Sequence, residues 1–278
     1  VSTHAHYAAA MRGQDRHLCA TPFLPIATSA YLKCFQSELI LRLQRGEHVV
    51  LYGPVGSGKS TLLAEVHRRI AATGAPCAVS TATSHLEDVT RALTRAYPEV
   101  NAASTRRRTR GRLWLAADRK PGVLIFDHVT RVGTAMVSFL RRLRGGVAGV
   151  LLAFDVEKES ERLRLRGRHL GRPFLPMPLA SNGRLQNLLR KTCAHHRLPR
   201  LTPSHERRII QAARGRVGWI ARCTRLILHE RYWTGATLHV AVLCIDTEIA
   251  LRQPEWKLLP FERKSNAHAR HVSAAARR

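Results

Sequence analysis

Short, largely apolar runs alternate with stretches of helical period through the first two thirds of the chain. His48-Val49-Val50-Leu51-Tyr52, Cys77-Ala78-Val79-Ser80, Val123-Leu124-Ile125-Phe126 and Val150-Leu151-Leu152-Ala153-Phe154 are four such runs, and Phe174–Leu179 is a fifth. Each is too short for a helix and is bounded by turn residues or by an amphipathic segment, so each predicts a buried strand. Between them, residues 29–44, the eleven residues from Leu62, a segment opened by Ser84-x-x-Glu87 and closed by Pro98, residues 113–119, 134–144 and 157–166 predict helices. Residues 101–112, NAASTRRRTRGR, predict a basic, turn-rich loop. Strands alternating with helices imply a parallel sheet covered on both faces.

From about residue 181 the pattern changes. Helices are predicted from Ser181 to about 196, from Thr202-Pro203 to Gly215, from Gly218 to Tyr232 and over roughly 236–252. The division expected is an arm over 1–28, an α/β core over 29–179, an all-helical unit over 180–255 and a basic tail over 256–278.

Composition narrows the partners. Lys and Arg number 46 against 19 Asp and Glu, a net charge of +27, and 39 of the 46 are Arg. Such a surface attracts polyanions, nucleic acid above all, although Arg bias also follows from a GC-rich genome. No run of about 18 apolar residues is present, and residues 1–19 lack the apolar stretch of a signal peptide, so a cytoplasmic protein without a membrane segment is expected. Six scattered Cys without a CxxC fit a reducing compartment. Cys193-Ala194-His195-His196, with Cys223, lacks the spacing of a zinc finger and reads as a buried thiol beside surface imidazoles.

The strongest chemical signal is Gly53-Pro54-Val55-Gly56-Ser57-Gly58-Lys59-Ser60-Thr61, between a predicted strand and a predicted helix. It matches G-x4-G-K-[ST], the phosphate-binding P-loop. Its glycines let backbone N–H groups curl around a β-phosphate, and the helix N-terminus adds partial positive charge. Lys59 reaches the β and γ oxygens of ATP, and the Ser60 hydroxyl ligates Mg²⁺. The second signal is Val123–Phe126 followed by Asp127, the Walker B form, 68 residues beyond Lys59. Its strand is expected to adjoin the P-loop strand, with Asp127 holding Mg²⁺ through water beside Ser60. His128 follows, where many P-loop ATPases carry Glu to polarise the attacking water. Asp155, closing the fourth strand, is a substitute base, a γ-phosphate sensor or a helix cap.

A third signal is Ala213-Arg214-Gly215-Arg216-Val217-Gly218-Trp219, at a helix–helix junction. Together these pieces resemble the AAA+ ATPases over about residues 29–252. The layout after the fourth strand resembles the small bacterial ATPases of the TnsC and ExeA type. The resemblance implies a three-layer P-loop core with a small helical lid, ATP–Mg²⁺ bound between them, homo-oligomers and DNA contacts from loops near a ring's pore. Carried over by position, Arg216 is the sensor 2 arginine, and Arg166, Arg168 and Arg172 are candidate arginine fingers. The chain departs from the family at His128 and in lacking Asn or Thr at the end of strand four. GPVGSGKST also resembles the P-loop of ABC transporter ATPases, but residues 101–120 hold no LSGGQ-like signature.

Three basic segments are candidates for phosphate contacts: Arg106–Arg108 with Arg110 and Arg112, then Arg141, Arg142 and Arg144, then the tail. The function expected is an ATPase acting as a DNA-associated regulator or helper of the transposition type. The alternatives are a non-hydrolysing ATP-gated switch, favoured by His128, and an ExeA-like envelope ATPase.

Overall fold

The computed structural model describes residues 30–80, 86–100, 105–129, 138–139, 147–168, 172–195, 201–234 and 237–252. They divide into two compact units, one drawn from residues 1–54 and 58–178, the other from 55–57 and 179–278.

The first unit runs α1 (Ala30–Gln44), β1 (His48–Gly53), α2 (Lys59–Ala72), β2 (Cys77–Ser80), α3 (Leu86–Ala96), α4 (Arg106–Arg119), β3 (Gly122–Phe126), β4 (Val147–Asp155), α5 (Glu159–Arg168) and β5 (Phe174–Pro176). The strands form one parallel sheet in the order β2-β3-β4-β1-β5. Side chains alternate between its faces. Val50, Leu124, Phe126, Val150, Leu152 and Phe154 pack on Val89, Leu93 and Tyr97 of α3 and its neighbour, and on Leu113 and Ala117 of α4. Val49, Leu51, Val123, Ile125, Leu151 and Ala153 pack on Leu39 and Leu43 of α1 and on Leu62, Leu63, Val66 and Ile70 of α2. Burial on both faces is why these strands read as unbroken apolar runs.

Gly149 inside β4 has a steric reason. A Cβ there would lie 2.4 Å from the Leu43 carbonyl oxygen, so α1 crosses β4 at backbone distance.

Two expectations for this unit are corrected. The Walker B strand β3 does not adjoin β1, because β4 lies between them, paired with β1 from His48↔Val150 to Gly53↔Asp155. The basic stretch after residue 105 is helix rather than loop. Thr105 caps α4 by accepting from the Arg108 N–H at 3.4 Å, and Arg is a good helix former once Thr109, Leu113, Ala116 and Ala117 are buried beneath it. Ser84, most of 134–144, the arm and the tail lie outside the described residues.

The second unit contains α6 (Asn182–His195), α7 (Pro203–Ala213), α8 (Val217–Leu226), a 3₁₀ turn at Glu230–Tyr232, a hairpin of β6 (Trp233–Thr234) and β7 (Thr237–Leu238), and α9 (Val240–Arg252). Thr202 caps α7, accepting from the His205 N–H at 3.3 Å, with Pro203 in its first turn. Arg214 and Gly215, both at positive φ, end it. Trp219, Ile220 and Cys223 of α8 are buried with Leu185 and Leu189 of α6, Ile209 of α7 and Leu243 of α9. The unit is not purely helical as expected: the segment read as helix to Tyr232 breaks after Leu226. Cys193 is buried and His195 exposed on α6. Among the described residues no helix is long and apolar enough to cross a membrane.

Candidate nucleotide site

In a parallel sheet every strand delivers its last residue to the same edge, and here those residues carry the chemistry. Gly53 ends β1, Asp127 follows β3 and Asp155 ends β4. The chain leaves β1 into Pro54 and enters α2 at Lys59. Gly58, at φ 98°, precedes that helix in a conformation that L side chains adopt only with strain. The first turn of α2 holds no acidic residue, so its free N–H groups and positive end face no local carboxylate of their own.

Lys59 is 5 % exposed. Its Nζ donates to the Gly53 and Pro54 carbonyl oxygens, both at 2.9 Å, and pairs with Asp155 Oδ1 at 2.7 Å. Asp155 Oδ2 lies 3.3 Å from His128 Nδ1. His128 Nε2 in turn lies 3.3 Å from Ser60 Oγ and 3.7 Å from Asp127 Oδ2. One imidazole therefore neighbours both expected Mg²⁺ ligands. His128 sits at φ 50°, a left-handed conformation uncommon for a residue with a Cβ.

Asp127 is fully buried. Its Oδ1 accepts from the His128 N–H at 2.9 Å, while its Oδ2 has no hydrogen-bond partner. Burial works to raise the Asp155 carboxyl, but the hydrogen bond from His128 and the Lys59 charge outweigh it and hold it at about 2. Conversely, the hydrogen bond to Asp155 raises the His128 imidazole above its ordinary value, against burial and the Lys59 charge.

These residues suit Mg²⁺. It prefers hard oxygen ligands, and the edge offers the Ser60 hydroxyl and a buried carboxylate oxygen that nothing else satisfies.

Val55, Gly56 and Ser57 count with the second unit, where the Gly218 N–H donates to the Gly56 carbonyl at 2.7 Å. Gly56 has φ 78°, and a Cβ on Gly218 would lie 2.9 Å from the Gly56 oxygen. Arg216, the residue at the expected sensor 2 position, is 7 % exposed. Its Nε and one terminal nitrogen donate to the Ala213 and Ala212 carbonyls at 3.0 and 3.1 Å, and both terminal nitrogens donate to Glu248 at 3.0 and 2.7 Å. Trp219 Nε1 donates to the same carboxylate at 3.0 Å. The guanidinium is thus engaged inside its own unit. Arg172 is half-buried, and the side chains of Arg166 and Arg168 lie outside the described residues, as do Arg141, Arg142 and Arg144.

Sequence reasoning missed two partnerships. The Lys59–Asp155 pair follows from β4 lying beside β1, which the assumed strand order hid. Glu248, on α9, gave no signal that it would meet Arg216.

The AAA domain family matches residues 42–160. Cdc6p from Pyrobaculum aerophilum is similar in structure, with a TM-score of 0.54 at 12% identity, covering 77% of this chain and 64% of that one. The Aeropyrum pernix Orc1 protein, solved in complex with DNA, gives 0.52 at 17% identity, covering 85% and 68%. Domain III of the Thermotoga maritima replication initiation protein DnaA gives 0.50 at 16% identity, covering 83% and 94%. No curated protein gives a significant sequence match. On its matched segment, its sheet order and these likenesses, the chain carries an AAA domain at residues 42–160 and has the fold of the AAA+ P-loop ATPases.

Proposed function

We propose that this chain binds ATP with Mg²⁺ at the C-terminal edge of its parallel sheet, hydrolyses it, and acts as a DNA-associated, nucleotide-dependent regulator or helper of the transposition type. The observation that carries the nucleotide reading is the gathering of Lys59, Ser60, Asp127, His128 and Asp155 at that edge, with one buried Asp127 oxygen left without a hydrogen-bond partner.

In this reading Lys59 meets the β- and γ-phosphate oxygens, and Ser60 and Asp127 hold the metal. When bound, Mg²⁺ neutralises charge developing on the phosphate oxygens. His128 stands one residue after the Walker B Asp and takes up the proton of the attacking water through Nε2. Removal of a general base of this kind costs about 10²–10⁴ in rate. DNA association rests on the net charge of +27 and on exposed Arg of α4, which fit phosphate contacts without base reading.

The test is ATP turnover with and without duplex DNA, for the wild type, Lys59→Ala and His128→Glu. Lys59→Ala is expected to abolish ATP binding, and retained binding would remove the P-loop assignment. Turnover by the wild type that rises with DNA supports the helper ATPase. Tight binding without turnover, restored by Glu at position 128, supports instead an ATP-gated switch.

A further inference from the structure

Lys59 and His128 share one carboxylate, and they use its two oxygens separately. Asp155 Oδ1 is 2.7 Å from Lys59 Nζ, and Oδ2 is 3.3 Å from His128 Nδ1. Two further oxygens on Lys59, the carbonyls of Gly53 and Pro54, belong to the backbone on which the phosphate loop is built. An ammonium group has three protons to donate. A phosphate oxygen arriving at Lys59 therefore competes with these acceptors. Asp155 is the one carried on a side chain, and a rotation about its own bonds suffices to move it. It is also the charged one, so it sits where a second anion is opposed by Coulomb repulsion.

Release from Lys59 does not leave Asp155 without a partner. His128 Nδ1 is already within reach, and a carboxylate on Nδ1 fixes that nitrogen as the protonated one. Nε2, which lies 3.3 Å from Ser60 Oγ, is then left as the acceptor. The left-handed backbone of His128 directs the ring between Asp155 and Ser60.

We propose that Asp155 is a positioning residue with two successive partners: it holds Lys59 as an internal anion until the phosphates of a nucleoside triphosphate take its place, and it then orients His128 toward the bound nucleotide. This rests on the ATP reading above and deepens it. Empty and filled sites are thereby linked through one side chain, so that arrival of the phosphates sets the imidazole.

Two substitutions separate the two tasks. Asp155→Asn removes the competing anion while keeping size, and is expected to bind ATP about 5- to 50-fold more tightly, by equilibrium titration with Mg²⁺. A merely structural role for Asp155 would weaken binding instead. At saturating ATP the same variant is expected to turn over about 10- to 100-fold more slowly, as when a residue that orients a histidine is lost. His128→Gln should lose turnover with little change in affinity. The double variant should turn over no more slowly than His128→Gln alone while keeping the tighter binding, because Asp155 acts on the rate only through His128. Ring ¹⁵N spectra of His128 with a non-hydrolysable ATP analogue give a readout free of turnover. The Nδ1-protonated form is expected in the wild type and a tautomer mixture in Asp155→Asn.

Unchanged or weaker ATP binding by Asp155→Asn overturns the competition with phosphate. Rate losses that multiply in the double variant, or identical ring spectra, overturn the orienting role. Failure of the underlying reading looks different: the wild type itself would then bind no ATP, or would bind it equally well without Lys59.

Discussion

Asp127 is a carboxylate that folding alone does not explain. It is fully buried at the end of β3, and only one of its oxygens finds a donor. A buried acceptor without a partner costs about 1–3 kcal/mol, and beside it His128 is held at φ 50° in a conformation that costs about 1–2 kcal/mol for an L residue. Adjacent strain of this kind is what a site prepared for a ligand retains. The expectation is that Asp127→Asn unfolds at a higher temperature than the wild type without nucleotide, by about 1–2 kcal/mol of stability. The same variant should lose the rise in melting temperature that ATP with Mg²⁺ gives the wild type. Thermal melts with and without ligand check both, and a variant stabilised as strongly as the wild type by ATP–Mg²⁺ removes Asp127 from the metal site. The identities of Lys59, Ser60, Asp127 and His128 were legible from the motifs. Their strain and pairing were not, because a φ angle and an unpaired oxygen follow from the meeting of distant segments.

At the scale of elements, legibility followed burial. Strands β1, β3 and β4 are covered on both faces, so their sequences are continuously apolar and announced themselves. Helix α4 did not, since its exposed positions are crowded with Arg, its buried face is carried by Thr109, Ala116 and Ala117 with Leu113 as the one large apolar residue, and the helix contains Gly111. Strand order is a property of pairing rather than of any one strand, and the sequence gives no pairwise signal from which the place of β4 between β1 and β3 follows. The hairpin after α8 is made of two-residue strands, too short for an alternation to register. Glu248 joins the end of α7 and the start of α8 to α9 by accepting from Arg216 and Trp219. The Arg216 hydrogen bonds, against some burial, hold its carboxyl below the ordinary glutamate value of 4.5. A carboxyl whose folded pKa is depressed adds stability that is present above its unfolded pKa and lost as pH falls through the folded one. Glu248→Gln is therefore expected to lower stability by about 1 kcal/mol at pH 7, a figure discounted because a third of the carboxylate meets solvent. The gap from the wild type should hold down to about pH 5 and close below the unfolded value of 4.5. Denaturant midpoints at pH 7, 5 and 3.5 measure it, and a gap that is constant across the series denies the ion pair its part.

The whole molecule carries +27, and that charge has to be placed before it says anything about a partner. On α4 the exposed Arg108, Arg112 and Arg119 fall four and eleven residues apart, which a period of 3.6 puts on one face, with exposed Leu115 among them. Arg107 is exposed beside them. The face spans about 16 Å at 1.5 Å per residue, the reach of several phosphates along one strand of a duplex. Contacts of this kind fix position without reading bases, so affinity should depend on salt and hardly on sequence. For duplex DNA, the logarithm of the binding constant should fall linearly with the logarithm of salt concentration, with a slope near −0.9 for each phosphate contacted. Replacing Arg108, Arg112 and Arg119 together by Ala should flatten that slope by as much as about 2.7, and weaken binding alike for unrelated sequences. Replacing Arg68 and Arg162, which are paired with Glu65 and Glu159 in their own helices, should change it far less. Equal losses from both sets would mean that net charge alone draws the DNA, and that the face of α4 has no place of its own in the complex.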